Sequence, residues 1–120
     1  MLSNNSLQLI KVHQDEPEHI VLQVNRNCDL SNYAVFNMTY PIDAGPKVKQ
    51  SYFFQKELVK TGDYVFLHTG NGVVKKSANP KKPGNYFYMF YWEQNKNVWI
   101  DEGDCCSVVQ YKLESRSQVV

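Results

Sequence analysis

Residues 57–72 read ELVKTGDYVFLHTGNG, and the fold turns on whether the glycine-rich end, Gly70 and Gly72, cradles a phosphate or only marks a corner of the chain. A phosphate loop needs the spacing Gly-x-x-x-x-Gly-Lys-Ser/Thr, followed by a helix whose N-terminus faces the anion. After Gly72 come Val73, Val74, Lys75 and Lys76, with no Ser or Thr at that spacing and no helical pattern. Asn71-Gly72 is instead a two-residue turn signal. Upstream, Thr61-Gly62-Asp63 makes a corner in which glycine supplies a positive φ, and Asp63–His68 then alternates as a strand. The stretch reads as turn, strand, turn.

The same period-2 patterning recurs along the chain, and period 3.6 is nearly absent. Strands are predicted over Leu7–Val12, His19–Val24, Tyr33–Tyr40, Gln50–Phe54, Asp63–His68, Asn85–Trp92, Val98–Ile100 and Cys105–Leu113. Turn clusters separate them, around Asp15-Glu16-Pro17, Asn25–Asn32, Pro41–Pro46 and Gly84. The single helical candidate is a turn around Gln55–Val59. Seven to eight short, mostly antiparallel strands spaced in this way predict an all-β, immunoglobulin-like sandwich. At 120 residues the chain is one domain, with a core over about residues 7–113 and a polar, frayed tail at 114–120.

Composition agrees. Eight Tyr, six Phe and two Trp favour half-buried pleated surfaces over helices. A net charge of +1 neither requires nor excludes a polyanionic partner. No run approaches the roughly 18–20 apolar residues that span a bilayer, and the N-terminus lacks a basic segment followed by an apolar one. The expectation is a cytoplasmic protein, or a piece excised from a longer one, with no membrane partner. Three cysteines, an odd number without a signal peptide, predict free thiols. Asn4-Asn5-Ser6 and Asn37-Met38-Thr39 match the glycosylation pattern, which carries meaning only on the secretory route.

Three segments, in order, resemble the lamin tail domain, in the form found in prokaryotic relatives. CDLSNYAV (Cys28–Val35) is similar to that family's Val-Asp-Leu-Ser-Gly-aromatic signature. ELVKTGDYVFLHTGNG is similar to its Leu-x-x-Gly-x-x-Val-x-Val-x-x-Gly stretch. NVWIDEGDCCSVV (Asn97–Val109) is similar to its Trp-bearing segment, Gly-Asp and final strand. Asn32 stands where the family usually has Gly, Cys105-Cys106 where it has Thr, Val or Ala, and the lysine-rich segment Val73–Gly84 has no counterpart. The resemblance implies a sandwich with a binding role; in nuclear lamins the domain contacts DNA and proteins. It transfers no catalytic residue. The residues themselves also support a turn here, because Asp29 and Ser31 can bond nearby amides while Leu30 plugs the end of the sandwich.

Three candidate sites follow. In YFYMFYW (Tyr86–Trp92), Tyr86, Tyr88, Phe90 and Trp92 face one way and Phe87, Met89 and Tyr91 the other. One set is core; the second needs a cover, and Phe87, Met89 and Tyr91 are the expected contacts for a protein partner or a second copy. Lys75, Lys76, Lys81 and Lys82, in a segment punctuated by proline and glycine, read as a mobile loop: solubilising surface, or a nucleic-acid contact assisted by stacking on Tyr86 and Tyr88. The acidic turn Asp101, Glu102, Asp104 lacks calcium-loop spacing, and no C-x-x-C is present, so no metal or cofactor is expected. Cys105 and Cys106 alternate faces. His13, His19 and His68 are scattered in sequence and accompany no nucleophile signature. The function expected is a non-catalytic interaction or assembly module; a nucleic-acid module and a small Cys-His hydrolase are the alternatives.

Overall fold

The computed structural model describes residues 5–119; Asn4 of the first glycosylation pattern and Val120 of the tail lie outside them. The chain folds as an all-β sandwich. Its strands are β1 (Leu7–His13), β2 (His19–Val24), β3 (Cys28–Asp29), β4 (Tyr33–Thr39), β5 (Lys47–Phe53), β6 (Leu58–Val59), β7 (Tyr64–His68), β8 (Lys75–Ala78), β9 (Tyr86–Tyr91) and β10 (Cys105–Gln110). They form a five-stranded sheet in the order β1-β2-β7-β9-β8, a three-stranded sheet β10-β4-β5, and a small ribbon β3-β6. All pairs are antiparallel except β7 with β9. Among the described residues no helix is long and apolar enough to cross a membrane.

The alternation of each strand sets what it buries. In β2, Ile20, Leu22 and Val24 point inward, paired with the equally alternating β7, where Val65 and Leu67 are fully buried. Tyr88 and Phe90 of β9, with Trp92 just after it, close the core against Leu30, Val35, Phe54, Val59, Val98 and Trp99. Leu30 plugs one end from a single 3-10 turn (Leu30–Asn32), started by Asp29, whose Oδ1 accepts the Ser31 amide at 3.0 Å. That bond comes first among those that hold the Asp29 carboxyl down at about 2, with Lys56 and the Glu57 amide adding to it.

Three local expectations are corrected. Gln55–Val59 is not helical, because Leu58 and Val59 pair with Asp29 and Cys28. Val98–Ile100 is not a strand: Val98 and Trp99 are buried in a bend, where side chains replace a ladder. The Val98 and Trp99 amides donate to the Glu18 carboxylate, and the Val98 carbonyl accepts from Asn37. The segment around Lys75 is not all loop, since Lys75–Ala78 forms β8 on the edge of the large sheet. Asn37 itself is fully buried, so the second glycosylation pattern is closed off in the folded chain.

β7, the middle strand of the large sheet, is held at both ends by a buried carboxylate. Before it, Gly62 turns the chain at φ +94°, and Asp63 accepts three hydrogen bonds: Oδ2 from the Lys60 amide at 2.9 Å, Oδ1 from Asn85 Nδ2 at 2.8 Å and from the Tyr86 amide at 2.9 Å. The Asp63 carbonyl also accepts from the Val24 amide at 2.9 Å. After it, Thr69 donates its hydroxyl to Glu18 Oε1 at 2.6 Å and its amide to the Glu18 carbonyl at 3.0 Å. Removing a buried acceptor strands its donors at about 1–3 kcal/mol each. Asp63→Ala is therefore expected to lower unfolding free energy by about 3–5 kcal/mol in a urea titration; a loss under about 1 kcal/mol would show that the three donors find other partners.

Candidate functional site

Strand pairing lines up the outward side chains of the five-stranded sheet in rows. The middle row is Lys11, Val21, Phe66, Met89 and Lys75, each opposite the next. Beside it on one side run Gln8, Gln23, Tyr64, Phe87 and Ser77; on the other, His13, His19, His68 and Tyr91. The face thus has an apolar centre, flanked by two lysines and bounded by a glutamine-rich row and a histidine row. Phe87 touches Tyr64 and Phe66, with ring centroids 6.1 and 5.7 Å apart.

Phe87, Met89 and Tyr91 therefore point outward, as their alternation implies, and each is half-buried. Tyr91 is packed from two sides: His68 stacks on its ring at 5.0 Å and 16°, and the backbone of Gly72 packs directly against it. This explains the glycine at the end of the opening stretch. β9 lies between β7 and β8 although it follows both in sequence, so Thr69–Val74 must cross over the end of β9, and only a residue without a Cβ fits above the Tyr91 ring. No helix follows Gly72, so a phosphate cradle is not formed. The two-residue turn expected at Asn71-Gly72 is corrected: the chain bends at Thr69-Gly70, and residues 71–74 run across the end of β9 to β8, with close approach as the reason for Gly72.

The four lysines are not brought into one patch. Lys75 and Lys76 are consecutive on β8 and lie on opposite faces. Lys75 joins the outward row; Lys76 turns inward, its Nζ 4.1 Å from the Tyr86 ring and 5.4 Å from Tyr88, a cation–π placement. Lys81 and Lys82 sit in the β8–β9 turn, which is tied down by buried Asn79: its Oδ1 accepts the Lys81 amide at 3.0 Å and its carbonyl the Lys82 amide at 3.2 Å. Tyr88 is buried and Tyr86 already carries Lys76, so the expected base-stacking pair is not on offer.

A cleft of about 540 Å³ opens between β8–β9 and the β3–β6 ribbon, with Leu58, Val59, Lys60, Lys76, Tyr86 and Tyr88 among its walls. Its volume and largely apolar lining suit ligand binding. Cys28 also borders it, and burial raises that thiol above its usual range. Cys106, half-buried on the other sheet, is pushed up to about 12, first by burial and then by Cys105 and Glu18. Both remain thiols at neutral pH, the wrong state for a nucleophile. The acidic turn is occupied by an ammonium: Lys49 Nζ lies 2.9 Å from Asp101 and 2.7 Å from Asp104. Among the described residues, no three His, Cys, Asp or Glu side chains are placed to hold a metal ion.

The histidine row escaped sequence reading. His13, His19 and His68 become neighbours, with centroid separations of 4.8 and 5.2 Å, only because the ends of β1, β2 and β7 coincide in register. The hint available in the sequence was that each histidine ends or begins a strand. Comparison with protein-family models, with curated proteins and with solved structures finds no match. The surfaces described here therefore stand on their own geometry.

Two outcomes follow. His68 has its pKa lowered below 6.5, by burial first and then by His19 and Lys75. A depressed histidine contributes stability above the unfolded value that is lost as pH falls through it; denaturation midpoints should drop on acidification below about pH 6.5, and His68→Phe, which keeps a ring over Tyr91, should flatten part of that drop. Gly72→Ala should destabilise by about 1–3 kcal/mol through overpacking, visible as a lower thermal midpoint, whereas Gly70→Ala, with open space around it, should change little.

Proposed function

We propose that this chain is a non-catalytic interaction module that binds a protein partner through the outer face of its five-stranded sheet. The observation that carries the reading is the row pattern itself: Val21, Tyr64, Phe66, Phe87 and Met89 form an apolar centre, with Lys11, Lys75, His13 and His19 around it. An apolar, aromatic centre inside a polar rim is the anatomy of a protein interface. The three rows carry lysines and histidines and no carboxylate, so the complementary partner has an apolar centre and acidic groups around it. A second copy of the chain would set these lysines against like charge, which ranks self-association second. The lamin-tail resemblance supports the same class of role. The nucleic-acid reading loses support because Lys75 and Lys76 diverge, so the four lysines it named do not form one stripe along a phosphate backbone.

The test is site-specific photo-crosslinking in the source cells, with a photoreactive residue at position 87 and a control at Phe36 on the opposite sheet. The expected outcome is one protein adduct from position 87 that is absent from the control and disappears with Phe66→Glu. Adducts to a second copy would make the module homotypic. Adducts only to nucleic acid, or equal yields at both positions, would overturn the reading.

A further inference from the structure

A second surface lies at the edge of the large sheet and is independent of its outer face. β8 is the last strand in the order, all four of its residues are exposed, and its only described backbone partner is β9. The Asn79 amide donates to the Asn85 carbonyl at 3.0 Å, which continues the β8–β9 ladder and sets its phase. Antiparallel pairs alternate between bonded and non-bonded positions. The amides and carbonyls of Lys75 and Ser77 therefore face β9, and those of Lys76 and Ala78 face the free edge. Such an edge accepts an added strand unless something blunts it.

Charge and shape around the edge specify the strand. Lys75 and Lys76 project to opposite faces of β8, and Lys81 and Lys82 follow in the adjoining turn. None of the four forms an ion pair among the described residues, where the bridges belong to Lys49 and Lys56. Glu57 acts on Lys76 from a distance, and Asp29, in the cleft wall, is already engaged by Lys56 and two amides. Inward of the edge, the cleft presents Tyr86, Tyr88, Val59 and the two-thirds exposed Leu58, with Lys60 at its margin. A strand laid along β8 would hang alternate side chains over this apolar cleft, with lysines on both of its flanks. A second copy's β8 would bring the same lysines into contact, and a flat phosphate surface would reach only one of the two faces.

We propose that β8 is a strand-addition site for an extended, acidic segment of a partner protein, with an apolar side chain of that segment seated in the cleft between β8–β9 and the β3–β6 ribbon. Main-chain hydrogen bonds to Lys76 and Ala78 supply the attachment, and the lysines and the cleft supply the selectivity.

The test is selection of a displayed library of random peptides, each about ten residues long, on the immobilised intact chain, followed by amide hydrogen exchange with the synthetic winners. The expected winners carry Asp or Glu together with an alternating apolar residue. They should slow exchange of the Lys76 and Ala78 amides and lose about tenfold or more in affinity with Lys76→Glu. Ala78→Pro removes one outward donor at an edge position that tolerates proline, and should weaken them comparably while a nitrogen–proton spectrum shows the fold retained. If Ala78→Pro unfolds the chain, the exchange measurement on the unaltered protein decides alone. No enrichment, winners without acidic residues, or protection confined to the outer-face strands β2 and β7 would each overturn the proposal. Because Phe66→Glu leaves the edge untouched, a failure here and a failure of the outer-face reading are separable.

Discussion

The buried carboxylates at the two ends of β7 are the constraint on which the rest of the structure depends. β7 is the central strand of the large sheet, and its position is specified by Asp63 before it and by the Glu18–Thr69 pair after it. Burying a carboxylate is costly unless donors surround it. Here the donors come from distant parts of the chain. Asp63 collects amides and an amide side chain from the turn before β7 and from the start of β9. Glu18 collects Thr69 and the Val98–Trp99 bend. Each group is satisfied only when all its contributing segments are in place, so the carboxylates select one arrangement of strands as well as stabilising it.

That arrangement includes the uncommon step in the topology. β9 runs parallel to β7 and separates it from β8, its predecessor in sequence. Asp63 holds the first residue of β9 against the corner before β7, and the crossing segment needs Gly72 to pass over Tyr91. Once β9 is seated, its alternation divides the aromatic run. Tyr88, Phe90 and Trp92 complete the core, while Phe87 and Met89 join Tyr64 and Phe66 on the outside. The outer face and the free β8 edge are thus products of the same step: inserting β9 exposes one aromatic row and displaces β8 to the margin.

Much of this was legible in the sequence, for reasons specific to particular residues. The alternation in HIVLQV matches β2 from His19 to Val24, because one face of that strand is buried and one is not. The Asp29 turn, the Gly62 corner and the outward set Phe87, Met89, Tyr91 were readable from local chemistry. β8 was not, since KKSA has low strand propensity and is extended by pairing with β9. Val98–Ile100 misled in the opposite direction: its apolar residues signal burial, and burial was achieved in a bend fed by Glu18 and Asn37. The lysines suggested one cationic loop because spacing in sequence does not reveal that a strand alternates them.

By itself the sequence determined an all-β chain, the placement of most of its strands, most of the corners between them and which side of the well-alternating strands is apolar. These depend on neighbouring residues, through period-2 alternation, turn chemistry and the reach of a side chain to nearby amides. Only the tertiary structure decided that β9 lies between β7 and β8, that three histidines share a row, that Lys75 and Lys76 serve different faces, and that a cleft opens beside the β3–β6 ribbon. Each of these is a matter of register between segments far apart in the chain. Register is set by buried groups that must find partners across that distance, a condition no local pattern records.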